Sequence, residues 1–348
     1  MHTRRVLGKV IVVLALVLCA SIATVAAQGG DFALRLPVTM RNMNPGPTIP
    51  VEFAWETMLV DEVGDVGMDT DIVVDGAGRV LVSYYAWGEG SLKLATLDGG
   101  DWETITIDDA GDVGAYTSIA LDAAGEPRIS YHDQGEGQLR YAQRVGGDWT
   151  LSTLDEAGDI GLYTSLALDS QGRPHISYFD MTEGALKYAH WNGAAWEYMV
   201  IDDAGDTGYF TSIALDAGGR PSISYCDWSN RALKFAVWNG AEWEVSTVDE
   251  DGSVGLYGSL KLDASGLAHI SYYDFTNGNL KYAVGRPGSW TISTIDSDGD
   301  VGYYTSIALD TNGRPHISYY DLTRGDLRHA RWTGGAWKIV AVDTPGNV

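Results

Sequence analysis

From Trp149 to Trp196 the chain switches between short runs of apolar or small residues and clusters rich in Gly, Asp and Asn. The runs are "WTLSTLD", "YTSLALD", "HISYFD" and "ALKYAHW"; the breaks are "DEAGDIG", "SQGRP", "MTEG" and "NGAA". Short runs rich in β-branched and aromatic residues, bounded by turn formers, predict four strands and no helix. "SLAL" and "ISYF" are apolar or small at every position instead of alternating. The predicted sheet is therefore covered on both faces.

The pattern recurs. Tryptophan stands at Trp55, Trp102, Trp149, Trp196, Trp243, Trp290 and Trp337, always 47 residues apart, and an unbroken spacing of this kind marks a repeat array. Six complete units run over 55–336, with the remnant of a seventh behind them. A four-stranded sheet covered on both faces fits a blade packed between two others, so the fold class read here is all-β, a β-propeller of four-stranded blades. The small Ser165 and Ala167 place "YTSLALD" innermost, next to the crowded axis, and the Trp-led strand outermost. Chain length agrees: outer edge to next inner edge is about three strand spacings, roughly 14 Å. The eight residues of "DEAGDIGL" reach roughly 26 Å. Six innermost strands predict six blades. Seven is the alternative, with "WETMLVD" at Trp55 joining residues 32–54 in a degenerate blade and the end at "DTPGNV" truncating a longer parent.

The N-terminus departs from this pattern. Arg4, Arg5 and Lys9 precede an apolar run from Val10 to Cys19, with small residues at Val25 and Ala27, the layout of a secretory signal cut after Ala27. A lipid-anchored Cys19 is disfavoured by the bulky Leu18 before it. The expected organisation is a signal over 1–27, a linker or partial blade over 28–54 and the propeller over 55–348, with a secreted, monomeric product. No later stretch is long and apolar enough for a membrane-spanning helix. Losing the signal removes three positive charges and no negative ones, taking the net charge from −24 to −27. Such a surface repels nucleic acid and anionic membranes and suits cations or neutral ligands. Without Cys19 only Cys226 remains, so no internal disulfide forms; Cys226 lies mid-strand and reads as an inert core thiol.

With its "YTSIALD…GRPHISYYD…LKYA…W" unit, the chain resembles bacterial secreted β-propeller repeat proteins, grouped with sialidase-like and propeller-lectin architectures. The resemblance covers residues 55–343 and bears on the fold, since propellers host many functions. The Asp-box pattern S-x-D-x-G-x-T-W of that group occurs in no unit, and WD-repeat signatures are absent too.

Alternating strand directions bring the "DEAGDIG" connection and the "FDMTEG" turn to one end of every blade. Three sets of candidates gather there. Asp112, Asp159, Asp206 and Asp300 sit in a Gly-rich turn, where carboxylates cap backbone amides; calcium is the alternative, without a recognised calcium-loop spacing. No other cofactor is indicated. Tyr116, Tyr163, Phe210, Tyr257 and Tyr304 stand at the mouth of the innermost strands, where a ring can stack on a sugar. Asp133, Asp180, Asp227, Asp274 and Asp321 close the second strands, opposite a base on the third (Arg140, Lys187, Lys234, Lys281, Arg328), which predicts cross-strand ion pairs. Departures from the repeat mark any asymmetric site: Asp69, Asp71, His132, Trp228, Arg231, Gly258 and Lys261. They nominate no nucleophile, base and orienting group together. The function expected is a non-catalytic exported binding or scaffold protein, with a glycan or cell-surface polymer held in lectin-like, multivalent fashion by equivalent sites on one propeller face. The rival is a propeller glycoside hydrolase or lyase with an axial carboxylate site, and the third class is a purely structural surface module.

Overall fold

The computed structural model describes residues 57–342 and three short strands before them, Ala15–Val17, Ala20–Ile22 and Leu34–Pro37. Six four-stranded antiparallel blades stand in a ring, a six-bladed β-propeller, and the described residues contain no helix. Blade 3 is typical: Ile160–Leu168 is innermost, followed outward by Pro174–Asp180, Ala185–Trp191 and Trp196–Asp202. The other innermost strands are Met68–Val74, Val113–Leu121, Thr207–Leu215, Val254–Leu262 and Val301–Leu309.

The all-apolar strands are explained by what covers them. Pro174–Asp180 is buried at every position. Between blades 2 and 3, Leu139 and Tyr141 meet Ile160, Leu166, Ile176 and Tyr178 in one cluster. Each core is thus shared by two neighbours, and no blade buries its faces alone. The tryptophan of the 47-residue spacing serves the same joint: Trp196 sets its edge on Tyr141 of the preceding blade at 5.4 Å between centroids, and Trp243, Trp290 and Trp337 do the same on Tyr188, Phe235 and Tyr282.

Polar groups sew these joints. Ser118 Oγ accepts the amide of Leu166 on the next blade at 3.1 Å, and Ser165, Ser212 and Ser259 repeat the bond to Ile213, Leu260 and Ile307. Thr164 Oγ1 reaches back to Ser130 Oγ at 2.7 Å. At the outer end, Asp155 of blade 2 takes the hydroxyl of Tyr178 of blade 3 at 3.0 Å, while Lys187 bridges Asp155 at 3.5 Å and Asp180 at 2.8 Å.

The joint between blades 6 and 1 is made differently. The innermost strands of the other five neighbouring pairs pack side by side, whereas Val301–Leu309 and Met68–Val74 do not share that packing. Thr70 Oγ1, the counterpart of Thr164 Oγ1, is buried without a partner among the described residues. The amide of Ile72 bonds its own neighbour Asp71 at 2.8 Å, where the repeat would have it reach a serine of the blade before. A two-stranded sheet of Leu34–Pro37 and Thr57–Asp61 flanks blade 1. There Asp61 accepts the Tyr84 hydroxyl at 2.7 Å, the bond an outer strand makes at every other joint.

Candidate functional site

The innermost strands carry a bulge where they meet the axis. In blade 3 the register slips between Leu162 and Ser165, and Tyr163 between them takes φ of 53°. Tyr116, Phe210, Tyr257 and Tyr304 do the same at φ 51–54°, and Asp69 at 46°. Left-handed backbone is costly for residues with a Cβ, of order 1 kcal/mol each, yet the distortion is held at all six blades. Close packing beside the bulge fixes its shape: a Cβ on Gly161 would lie 2.8 Å from Leu139 Cα of the blade before.

The bulges turn five aromatic rings toward one another. Tyr116–Tyr163, Tyr163–Phe210, Phe210–Tyr257 and Tyr257–Tyr304 each have centroids 4.6 Å apart. The rings that the sequence places at five equivalent points therefore form one collar. With the residues next in each strand, Thr and Ser except for Gly258 and Asp71, they line an axial funnel of about 300 Å³. Burial and the nearby Asp69 push the Tyr116 hydroxyl up to about 12, so it stays a neutral donor and acceptor.

Blade 1 breaks the collar. Asp69 stands where the others have an aromatic ring, and Asp71 where they have serine. Asp71 does the serine's work: its Oδ2 accepts the Ser118 hydroxyl at 2.9 Å and the Ile119 amide at 2.9 Å, and its Oδ1 the Ile72 amide. Asp69 Oδ2 accepts the Tyr116 amide at 3.0 Å. Burial pushes both carboxyls above the usual range, more than their hydrogen bonds draw them down.

The two other candidate sets lie elsewhere. Asp133, Asp180, Asp227, Asp274 and Asp321 are buried and committed. Asp180, for example, caps the Glu183 amide at 2.9 Å and pairs Lys187. Their surfaces are spent inside the blade. Asp112, Asp159, Asp206 and Asp300 line the connections between blades. Asp112 takes the Tyr85 hydroxyl, Asp159 meets His132 Nε2 at 3.1 Å and Asp300 takes the Tyr273 hydroxyl at 2.6 Å. Through its backbone, Asp206 accepts the Trp228 amide at 2.8 Å. Among the described residues no three His, Cys, Asp or Glu converge to hold a metal ion. Cys226 is buried and burial pushes its thiol up to about 12, as an inert core residue requires.

Apart from Trp228, one periodic set of exposed side chains is not nominated by the sequence. Trp87, Met181, Trp228, Phe275 and Leu322 are each about half exposed or more and follow the last residue of the second strand at the 47-residue spacing. They are in the turns at the same end as the collar, where the Met181 amide bonds Asp159 O at 2.9 Å and the Phe275 amide Ser253 O at 2.9 Å. The spacing was visible; the mixture of side chains, with Gln134 in blade 2, hid it. A larger cavity of about 570 Å³ opens at the opposite end between blades 4 and 5. It lies where Gly285 replaces the Trp238 and Trp332 of the flanking blades, and its lining pair Asp216–Arg220 is closed on itself at 2.6 Å.

No family model matches the chain, and no curated protein matches it in sequence. Its fold has solved counterparts. A protein of unknown function from Dyadobacter fermentans shares 11% identity over 79% of this chain and 93% of its own, with a TM-score of 0.54. An ulvan lyase of a new polysaccharide lyase family, bound to a glucuronate–rhamnose sulfate repeat, shares 12% over 81% of this chain and 80% of its own, also at 0.54. A prolyl endopeptidase structure reaches 0.58 at 12% identity, over 97% of this chain and 51% of its own. The likeness is one of fold. At these identities a lyase and a peptidase are equally near, so activity must be argued from the site.

Proposed function

We propose that this is an exported glycan-binding protein whose sugar sits in the axial funnel. The observation that carries the reading is the collar: five aromatic rings held at strained backbone angles around one cavity, with hydroxyls and carboxylates beside them. Sugars are bound by rings that cover their C–H faces and by polar groups that meet their hydroxyls. A volume of about 300 Å³ is at the small end of ligand sites, sized for one or two sugar units. The half-exposed Trp87 and Trp228 at the same end offer further stacking surface to a longer chain. Because the rings gather at the axis, each molecule offers one funnel, and avidity would have to come from display of many copies.

A glycan array, followed by pull-down on immobilised polysaccharides, tests this. The unmodified protein is expected to bind at least one polysaccharide. Tyr163→Ala and Tyr304→Ala should each lose binding by tenfold or so while the circular dichroism spectrum is unchanged. Full binding by both alanine variants would remove the funnel from the reading; no binding to any glycan would end it.

One observation favours an enzymatic second reading. Asp69 is a cavity carboxyl shifted upward by burial, as a general acid for glycosidic cleavage requires. Product analysis on the same polysaccharides decides it: chain shortening lost in Asp69→Asn would make the protein a glycoside hydrolase or lyase.

A further inference from the structure

Resting on the glycan reading, we propose that the sugar in the funnel is positively charged, an amino sugar with a free amine, and that Asp69 is the group that meets it. The two funnel carboxyls have different duties. Asp71 is consumed by the joint to blade 2, with both oxygens accepting bonds from Ser118, Ile119 and Ile72. Asp69 spends only Oδ2, on the Tyr116 amide; its Oδ1 takes no hydrogen bond among the described residues, and the residue lines the cavity.

Among the described residues, no Lys, Arg or His lines the funnel with it. Lys261 of blade 5 acts on Asp71, and among the described residues no base acts on Asp69. A half-buried carboxylate without a counter-charge is unfavourable, and burial accordingly raises its pKa. A ligand ammonium would supply the missing charge, with three donors to share between Oδ1 and the hydroxyl oxygens of the lining Tyr, Ser and Thr residues. A neutral sugar would leave Asp69 uncompensated, and a uronic acid would add a second negative charge. The mature net charge of −27, from −24 less the three positive charges of the signal, draws cationic ligands toward the molecule. Blade 1 alone carries this residue; the other five keep the ring. The repeat thus builds the walls, and one departure from it sets the charge.

The test is calorimetry at pH 6 with three oligosaccharides of equal length: a glucosamine oligomer with free amines, its fully N-acetylated counterpart and a cello-oligomer. The unmodified protein should prefer the amine by about tenfold, a factor in the range of a partly desolvated charge pair, and the preference should shrink as salt rises from 0.05 to about 0.5 M. Asp69→Asn keeps an acceptor for the Tyr116 amide. Asp69→Tyr installs the residue that four other blades hold at the same backbone angle. Both variants should melt near the unmodified protein and bind the three oligomers alike. Equal binding of amine and neutral oligomers by the unmodified protein, or an amine preference that survives in both variants, overturns the charge assignment and leaves the glycan reading standing. Failure of all three oligomers to bind, on a protein that also fails the glycan array, removes both.

Discussion

At the scale of single residues, the departures from the repeat can be read as pairs. Gly258 stands where the other innermost strands have threonine. Its missing hydroxyl is the one Ser224 would have met, and Ser224 Oγ is buried without a partner among the described residues, while Ser177 and Ser271 hold Thr211 and Thr305 at 2.7 Å. A Cβ at Gly258 would find nothing nearer than 3.6 Å. Gly258→Thr is therefore expected to stabilise the fold by about 1 kcal/mol, through the restored bond and a less flexible unfolded chain. An unchanged or lower urea midpoint would show that the glycine answers some other need. Arg231 and Ser253 form a second pair. Arg231 occupies, at φ 58°, the turn position that is glycine in the other blades. At the matching Gly184 a Cβ would come within 2.8 Å of Asp206 Oδ1; opposite Arg231 that aspartate is replaced by the smaller Ser253, which makes room.

At the scale of strands, the prediction concerns the bridge at the outer joint. Lys187 lies between Asp155 and Asp180, all three largely buried. Lys187→Met would leave two enclosed carboxylates without a counter-charge and should cost roughly 3 kcal/mol. Tyr178→Phe, which removes only a hydroxyl bond to Asp155, should cost about 1 kcal/mol. Denaturant titration separates the two, and equal costs would mean that the lysine holds no more than a surface pair. Half of this arrangement was legible in the sequence. The Asp180–Lys187 pair crosses one hairpin and follows from strand register. The bond from Tyr178 to Asp155 spans two blades, and only knowledge of how blades face each other joins residues 23 apart. Strand number, order and the end that gathers the loops could be read from spacing and composition, because each depends on local turn chemistry. The collar could not. It depends on a bulge that reverses the backbone at Tyr163, and "GLYTS" carries no residue that demands a positive φ for its tyrosine. Asp69 and Asp71 stood out as departures, but which was a stitch and which was open needed the neighbouring strand.

At the scale of the molecule, the joint between blades 6 and 1 changes what kind of object the propeller is. Five joints carry the serine or Asp71 bond to the next blade, while at the sixth, among the described residues, Thr70 is unpartnered and the inner strands lack the packing of the other five pairs. A ring sewn at every joint has no end, and its blades would be equally hard to open. One sewn at five of six behaves as a linear array bent into a circle, with blades 1 and 6 as termini, and arrays fray from their termini. Amide hydrogen exchange should then be graded, slowest in Ile160–Leu168 and Thr207–Leu215 and fastest in Val301–Leu309 and Met68–Val74; uniform protection around the axis would mean that the last joint is as strong as the rest. Asp69 belongs to one of those termini. The strand that bears the open carboxylate of the funnel is then also among the first to loosen, so whatever occupies the funnel would act as a clasp, and ligand binding should be measurable as slower exchange at the two ends of the array.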